Sequence, residues 1–322
     1  MRPHGIMFHH FHGWDHPAGD GSLSAEQFAD MLVALDLSRI LPAGEWVERF
    51  ERGTLEPQHL CLTFDDNLRC QFDVALPVLR ELGLTAFWFV TTAMYGGETP
   101  RLEVYRTFRI LCFDDNSDFY EAFFRILALS NEAERVEAAL RTFQPDGYLA
   151  EYPFYREADR RFRYVRDEIL GRERYERIMD ALIASMGLTV DQLAENLWMT
   201  PAQLRTLHDE GHVIGLHTHT HPTRLAGLAL REQQREYREN QRILYEMLGQ
   251  RPVTMSHPCN SYTPETLALL RRMGVRLGFR ANMRGGFDAP LECPREDHAN
   301  ILWEMRTCTS PYSPATSPVI SA

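Results

Sequence analysis

The sequence predicts an α/β protein built on parallel strands and interrupted by a long helical stretch, and three observations carry that expectation. Short apolar runs alternate with amphipathic helical segments, an order that points to parallel strands with their active ends on one side. Between about residues 101 and 198 the alternation gives way to helical periodicity rich in Arg, Glu and Tyr. Two apolar runs end in groups of acid and imidazole side chains, Leu62-Thr63-Phe64-Asp65-Asp66 and Gly215-Leu216-His217-Thr218-His219-Thr220-His221-Pro222.

Taken in order, Ile6-Met7-Phe8 reads as a first strand that runs into His9, His10 and His12 and a Gly-, Asp- and Pro-rich loop through Ser22. Ser24 can cap a helix, with Gln27 three residues on as in a capping box. Leu60 to Phe64 is a second strand, Phe72 to Leu82 an amphipathic helix ending at Gly83, and Thr85 to Val90 a third strand. A strand–helix repeat has no need of the stretch from 101 to 198, which is expected to be an insertion able to roof a pocket or bind a protein partner. A helix from Pro201 to Glu210 then leads into the strand His212 to Leu216. Further strands at Val253 to Met255 and Val275 to Phe279 flank a helix from Pro264 to Met273. Residues 1–306 are thus expected to form one interrupted domain, and the Pro-, Ser- and Thr-rich tail 307–322 to be disordered.

Composition narrows the function. At 322 residues and 44% hydrophobic content the chain can bury a sizeable core. The net charge of −11 argues against nucleic acid or an anionic membrane as partner, since both need a basic footprint. All 34 basic residues are Arg, which excludes Schiff-base chemistry, a pyridoxal-phosphate anchor and a P-loop lysine. Six scattered cysteines without a C-x-x-C pair point to reduced, structural thiols. The N-terminal residues contain no apolar stretch of the length of a signal peptide or membrane span, so membrane insertion is not expected and a cytoplasmic location is.

The two blocks supply the raw material of a hydrolytic metal site. A catalytic divalent ion takes three protein ligands and leaves a position open for water; one Asp and two His meet that count, with a carboxylate to spare as a base. Three imidazoles within five residues would repel one another when protonated, a difficulty that a bound metal removes. Phe113-Asp114-Asp115-Asn116 repeats the letters of the first block inside the helical stretch, and is read as a helix cap.

Together the blocks resemble the polysaccharide deacetylases of carbohydrate esterase family 4, the NodB-homology domain, over roughly residues 55 to 95 and 198 to 282. The family reads T-F-D-D-G and H-[ST]-x-x-H-P; this chain has Thr63-Phe64-Asp65-Asp66-Asn67 and His217-Thr218-His219-Thr220-His221-Pro222. Asn tolerates positive φ, so Asn67 can hold the glycine's turn. The resemblance implies a distorted (β/α) barrel, here carrying the large helical insertion, with Asp65 as general base and one divalent ion on Asp66, His217 and His221; for these N and O donors zinc is the first choice, with cobalt, iron or manganese as alternatives. His219 is then a pocket wall or a support behind the ligands. Ser256-His257-Pro258-Cys259-Asn260 occupies the place of a third block, often R-x-P-Y-G, so the arginine that orients the base is missing there. Pro294-Arg295-Glu296-Asp297-His298 offers both a replacement arginine, Arg295, and an acid for the leaving group, His298. His10 and His257 are further candidates for contact with substrate or ligands. The implied reaction is removal of an N-acetyl group from a sugar, a nucleotide- or lipid-linked precursor of a cell-surface glycan being the expected substrate. Hydrolysis of another small amide, or carbohydrate binding without catalysis, are the alternatives.

Overall fold

The computed structural model describes residues 2–149, 155–285 and 289–307. The chain divides into two compact units, one formed by the residues up to Pro100 together with those from Trp198 onward, the other by Arg101–Leu197. The tail expected to be disordered lies outside the described residues except for Thr307, which ends the last helix.

In chain order the first unit begins with β1 (His4–Phe8), α1 (Ala25–Ala34), α2 (Ala43–Arg52), β2 (Leu60–Asp65), α3 (Leu76–Leu82) and β3 (Phe87–Val90). The second unit contributes α4 (Arg101–Cys112), α5 (Asn116–Ala128), α6 (Ala133–Leu140), α7 (Glu157–Tyr164), α8 (Gly171–Ser185) and α9 (Val190–Ala194). The chain then returns through α10 (Pro201–Asp209), β4 (Val213–Leu216), α11 (Leu230–Leu248), β5 (Thr254–Ser256), α12 (Pro264–Arg272), β6 (Leu277–Phe279), β7 (Arg295–Asp297) and α13 (His298–Thr307).

The seven strands form one parallel sheet in the order β6-β5-β4-β3-β2-β1-β7, each of the first six beside its predecessor. The sheet nearly closes on itself. The Gly278 N–H donates to Pro290 O at 2.9 Å and the Arg280 N–H to Cys293 O at 3.0 Å, and one residue later the Gly5 N–H donates to Pro294 O at 3.0 Å. A single run, 290–295, therefore bridges β6 on one side to β1 on the other, giving a distorted barrel.

Alternation along the strands sorts side chains into two cores. Ile6 and Phe8, Leu60, Leu62 and Phe64, Trp88 and Val90, Ile214 and Leu216, and Met255 join the layer shared with α1, α3, α10, α11 and α12. The alternate residues Cys61, Phe87, Phe89, Leu277 and Phe279 fill the interior with Trp46 of α2. Gly215 is required by this interior: a Cβ there would stand 2.6 Å from both Phe89 Cδ1 and Thr254 Oγ1.

Ser24 and Gln27 form the expected capping box on α1. The helix expected from Phe72 is regular only from Leu76; Gln71–Ala75 is wound more widely, and the Gln71 side chain there turns back toward the strand ends. In the second unit, α5, α7 and α8 pack through an aromatic core that includes Phe119, Phe123, Phe162 and Tyr175, and Asp115 caps α5 through the Ser117 N–H, the structural role expected of that repeat.

Candidate active site

Parallel pairing aligns the strand ends. Phe8 stands beside Phe64 and Phe89 beside Asp65, while Val90 stands beside Leu216, so His9, Asp65-Asp66 and His217 emerge at one edge. Asp65 is the last residue of β2 and faces the interior. The chain then turns through two left-handed residues, Asp66 at φ 77° and Asn67 at φ 61°. The Asn67 amide donates to Tyr95 Oη at 2.7 Å, Tyr95 Oη donates to Met199 O at 2.6 Å, and the Met199 N–H returns to Asn67 O at 3.0 Å. This ring of bonds fixes the turn that sets the second carboxylate.

Asp66 Oδ1 lies 3.4 Å from His217 Nε2 and 3.3 Å from His221 Nε2, and one ligand atom from each of the three residues falls within 4.8 Å of the others. Donors placed about 2.1 Å from a tetrahedral ion stand roughly 3.4 Å apart, so the set fits a divalent cation. The His217 ring is oriented from behind, with Nδ1 2.8 Å from Ser256 Oγ and 3.1 Å from Ser256 O. A proton at Nδ1 shared with these oxygens leaves Nε2 as the lone-pair atom toward Asp66.

Asp65 is held from the opposite side by Arg295, whose Nη1 and Nη2 donate to its two oxygens at 2.7 and 2.8 Å. Arg295 is fully buried, and its Nε donates to Arg280 O at 2.9 Å and its Nη1 to Thr63 Oγ1 at 3.2 Å. Gly5 makes the room: a Cβ there would be 3.1 Å from both Arg295 Cγ and Thr63 Cγ2. Burial by itself would raise the Asp65 pKa, but the Arg295 charge and hydrogen bonds, with His217 and His9, hold it below the usual carboxylate range. Asp66 is likewise lowered despite burial, chiefly by His221 and His217, and His217 is raised against the effect of its own burial by Asp65 and Asp66.

The structure brings together Asp65, Asp66, His217, His221 and Arg295, and adds His9. His9 Nε2 stands 3.9 Å from one oxygen of each aspartate, and its side chain is 27% exposed, so it can meet both the carboxylates and a ligand. The sequence marks His9 only as one of several histidines after the first strand, and its place at the aspartates follows from β1 standing beside β2. His10 stacks on His9, ring centroids 6.0 Å apart.

His298 is not brought into this group. Its ring nitrogens lie 3.1 Å from Met7 O and 2.8 Å from Gly21 O, and the ring stacks on Phe8, so it belongs to the strand–helix layer. Arg295 opens β7 and faces inward, whereas His298 lies past the end of that strand, as the first residue of α13. His219 has its Nδ1 3.0 Å from Thr92 Oγ1 and is not a member of the donor set. His257 is buried, with Nε2 2.8 Å from Leu291 O and its ring stacked on Tyr262, and burial pushes its pKa down to about 3. It supports the loop after β5 as a neutral ring. No disulfide joins the described cysteines.

Residues 169–278, about a third of the chain, match the family model described as polysaccharide deacetylase; the match takes in the His217–Pro222 block and not Asp65-Asp66. The fold is similar to that of the deacetylase PplD of Streptococcus pyogenes in complex with acetate (15% identity, TM-score 0.54, covering 92% of each chain). It is also similar to IcaB from Ammonifex degensii (15% identity, TM-score 0.54, 96% of this chain and 97% of that one). A de-N-acetylase from Aggregatibacter actinomycetemcomitans gives 10% identity and a TM-score of 0.51 over 92% and 94% of the two chains. At these identities the likeness is one of fold. No curated protein matches the chain.

Purified protein is expected to bind about one divalent ion per chain by the three-ligand logic, and His217→Ala and His221→Ala each to lose it in elemental analysis. Full retention of metal by both variants would overturn the donor set.

Proposed function

We propose that this chain, a member of the polysaccharide deacetylase family, is a metal-dependent hydrolase that removes the N-acetyl group of a sugar. One observation carries the reading: a three-donor set, Asp66, His217 and His221, beside a buried carboxylate, Asp65, that Arg295 keeps ionised. Held by these donors, a divalent ion supplies Lewis acidity to the acetyl carbonyl and lowers the pKa of the attacking water. Two imidazoles and a carboxylate make zinc the first choice, and they also suit cobalt, iron or manganese.

Asp65 takes the proton given up as water adds to the acetyl carbon. Arg295 fixes the carboxylate plane, and Asp65 Oδ2 still lies 3.9 Å from His9 and His217, on the pocket side. His9 gives a proton to the sugar nitrogen as the C–N bond breaks, a role its partial exposure permits and that His298, engaged by Met7 and Gly21, does not fill. Water and the amide become acetate and a free amino sugar. The proton collected by Asp65 balances the one spent by His9.

Acetate release measured over nucleotide-linked, lipid-linked and polymeric N-acetyl sugars tests the reading, a carrier-linked precursor being the expected substrate. Asp65→Asn should abolish release while metal content stays that of the wild type. Release from none of these compounds by metal-replete protein would overturn this substrate class and leave hydrolysis of another small amide, or carbohydrate binding without catalysis, as the function.

Arg295 gives a pH prediction with a definite sign. The base works as carboxylate, and the guanidinium lowers its pKa. Removing that charge raises the pKa, so the acidic limb of the rate profile should move to higher pH in Arg295→Met. Loss of one partner of a buried pair costs about 3–5 kcal/mol, so Arg295→Lys, which keeps the charge, is the companion if the first variant is too unstable. An unmoved limb in a folded, metal-replete Arg295→Met would exclude Asp65 as the base.

For the proton donor, His9→Ala should depress kcat most on the basic limb, whereas His298→Ala should keep the shape of the wild-type profile and lose stability. The reverse pattern in kinetics would return the role to His298.

A further inference from the structure

The loop that carries both histidine donors is held in an unfavourable conformation. Thr218 has φ 64° and His221 φ 53°, left-handed values that are costly for non-glycine residues and most of all for a β-branched one. Such backbone persists only where its surroundings impose it. Here the restraint comes largely from two side chains one turn apart on α11. Asn240, fully buried, accepts from the His217 N–H at 3.0 Å and donates to Val90 O at 2.8 Å and Thr92 Oγ1 at 3.1 Å. Glu236, also buried, accepts from the Thr220 N–H at 2.8 Å through one oxygen and from Thr220 Oγ1 at 2.9 Å through the other. Between them the His219 carbonyl accepts from the N–H groups of Thr92 and Ala93 at 3.2 and 3.0 Å.

We propose that Glu236 and Asn240 are positioning residues that hold His217 and His221 in their ligating geometry through the backbone, so that the metal affinity of the site is set from α11. The inference rests on the metal-site reading above. It assigns Glu236 a task that its chemistry alone would not suggest: a buried carboxylate outside the donor set, each of whose oxygens accepts from Thr220. The bonds to Thr220 bear on the residue next to His221, and the bond from Asn240 bears on His217 itself. A loop so fixed need not be ordered by the ion, and binding is spared that entropy.

The test is titration of metal-free protein with Zn2+ against a chelator, and with Co2+ read by its visible absorption. Glu236→Ala should weaken affinity roughly 10- to 100-fold, the range for loss of a group that orients a ligand, and should alter the Co2+ spectrum. Glu236→Gln keeps an acceptor for one of the two Thr220 donors and should fall between, and it serves alone if the alanine variant does not fold. Gln233→Ala is the control, because Gln233 is buried on the same helix but bonds Leu228 O and Thr266 Oγ1, neither of which belongs to the ligand loop. It should lose thermal stability and keep wild-type affinity and spectrum. Wild-type affinity and spectrum in the Glu236 variants, or an equal loss in Gln233→Ala, would overturn the proposal. Loss of all metal from wild-type protein would instead remove the donor set on which it rests.

Discussion

A guanidinium buried in a barrel and bound through two nitrogens to a buried carboxylate, as Arg295 is to Asp65, is tolerable only if its other donors also find acceptors. Arg280 O and Thr63 Oγ1 supply them, and Gly5 leaves space for the stem. The rest of the mouth depends on that pair. Two consecutive aspartates in a water-poor pocket repel each other, and one would take up a proton unless positive charge answered both. Arg295 answers Asp65; His217 and His221 line Asp66 and suit a cation there. The site is therefore a balance between two acids and two kinds of positive charge, one covalently built in and one to be bound.

Consecutive residues on a strand point to opposite faces, which would send the second carboxylate into the helix layer. The left-handed turn at Asp66 and Asn67 prevents this, so both acids reach one pocket with different partners. The ligand loop after β4 uses the same device at Thr218 and His221. At both strand ends, backbone energy is exchanged for placement, and neighbouring side chains hold the result: Tyr95 at the first, Glu236 and Asn240 at the second.

Much of this was legible in the sequence because it was written locally. Strand order, the insertion, and the Asp65-Asp66 and His217-His221 blocks follow from periodicity and from short motifs, and a turn at Asn67 follows from its tolerance of positive φ. What escaped was set by pairing between distant segments. Strand β7 is three charged residues, Arg295–Asp297, with no apolar pattern, and it is a strand only because β1 lies beside it. His9 and His10 look alike until the pairing of β1 with β2 sets the His9 ring against both aspartates. Helix α11 is polar for much of its length, and the buried Glu236 and Asn240 that reach the ligand loop read as solvated residues in one dimension. The wide turn at Gln71 is likewise tertiary: its amide donates to His9 O at 2.8 Å and Asp65 O at 2.6 Å, tying two strand ends together.

The third block shows why a near-closed barrel can redistribute a function along the chain. The arginine expected beside the base is Ser256 here, on β5, yet the guanidinium arrives from β7, which closure brings to the other side of β1 and β2. Any inward-facing position near the strand ends converges on the same small volume, so which strand supplies a charge matters less than its depth and parity. Ser256, relieved of a long cationic side chain, instead sets its hydroxyl and carbonyl against Nδ1 of His217. An arginine at 256 would have added a second positive charge close to His217, opposing a cation on its Nε2. Moving the guanidinium to β7 keeps it on the far side of Asp65, where it favours the base as carboxylate and leaves the imidazole side of the pocket to the metal.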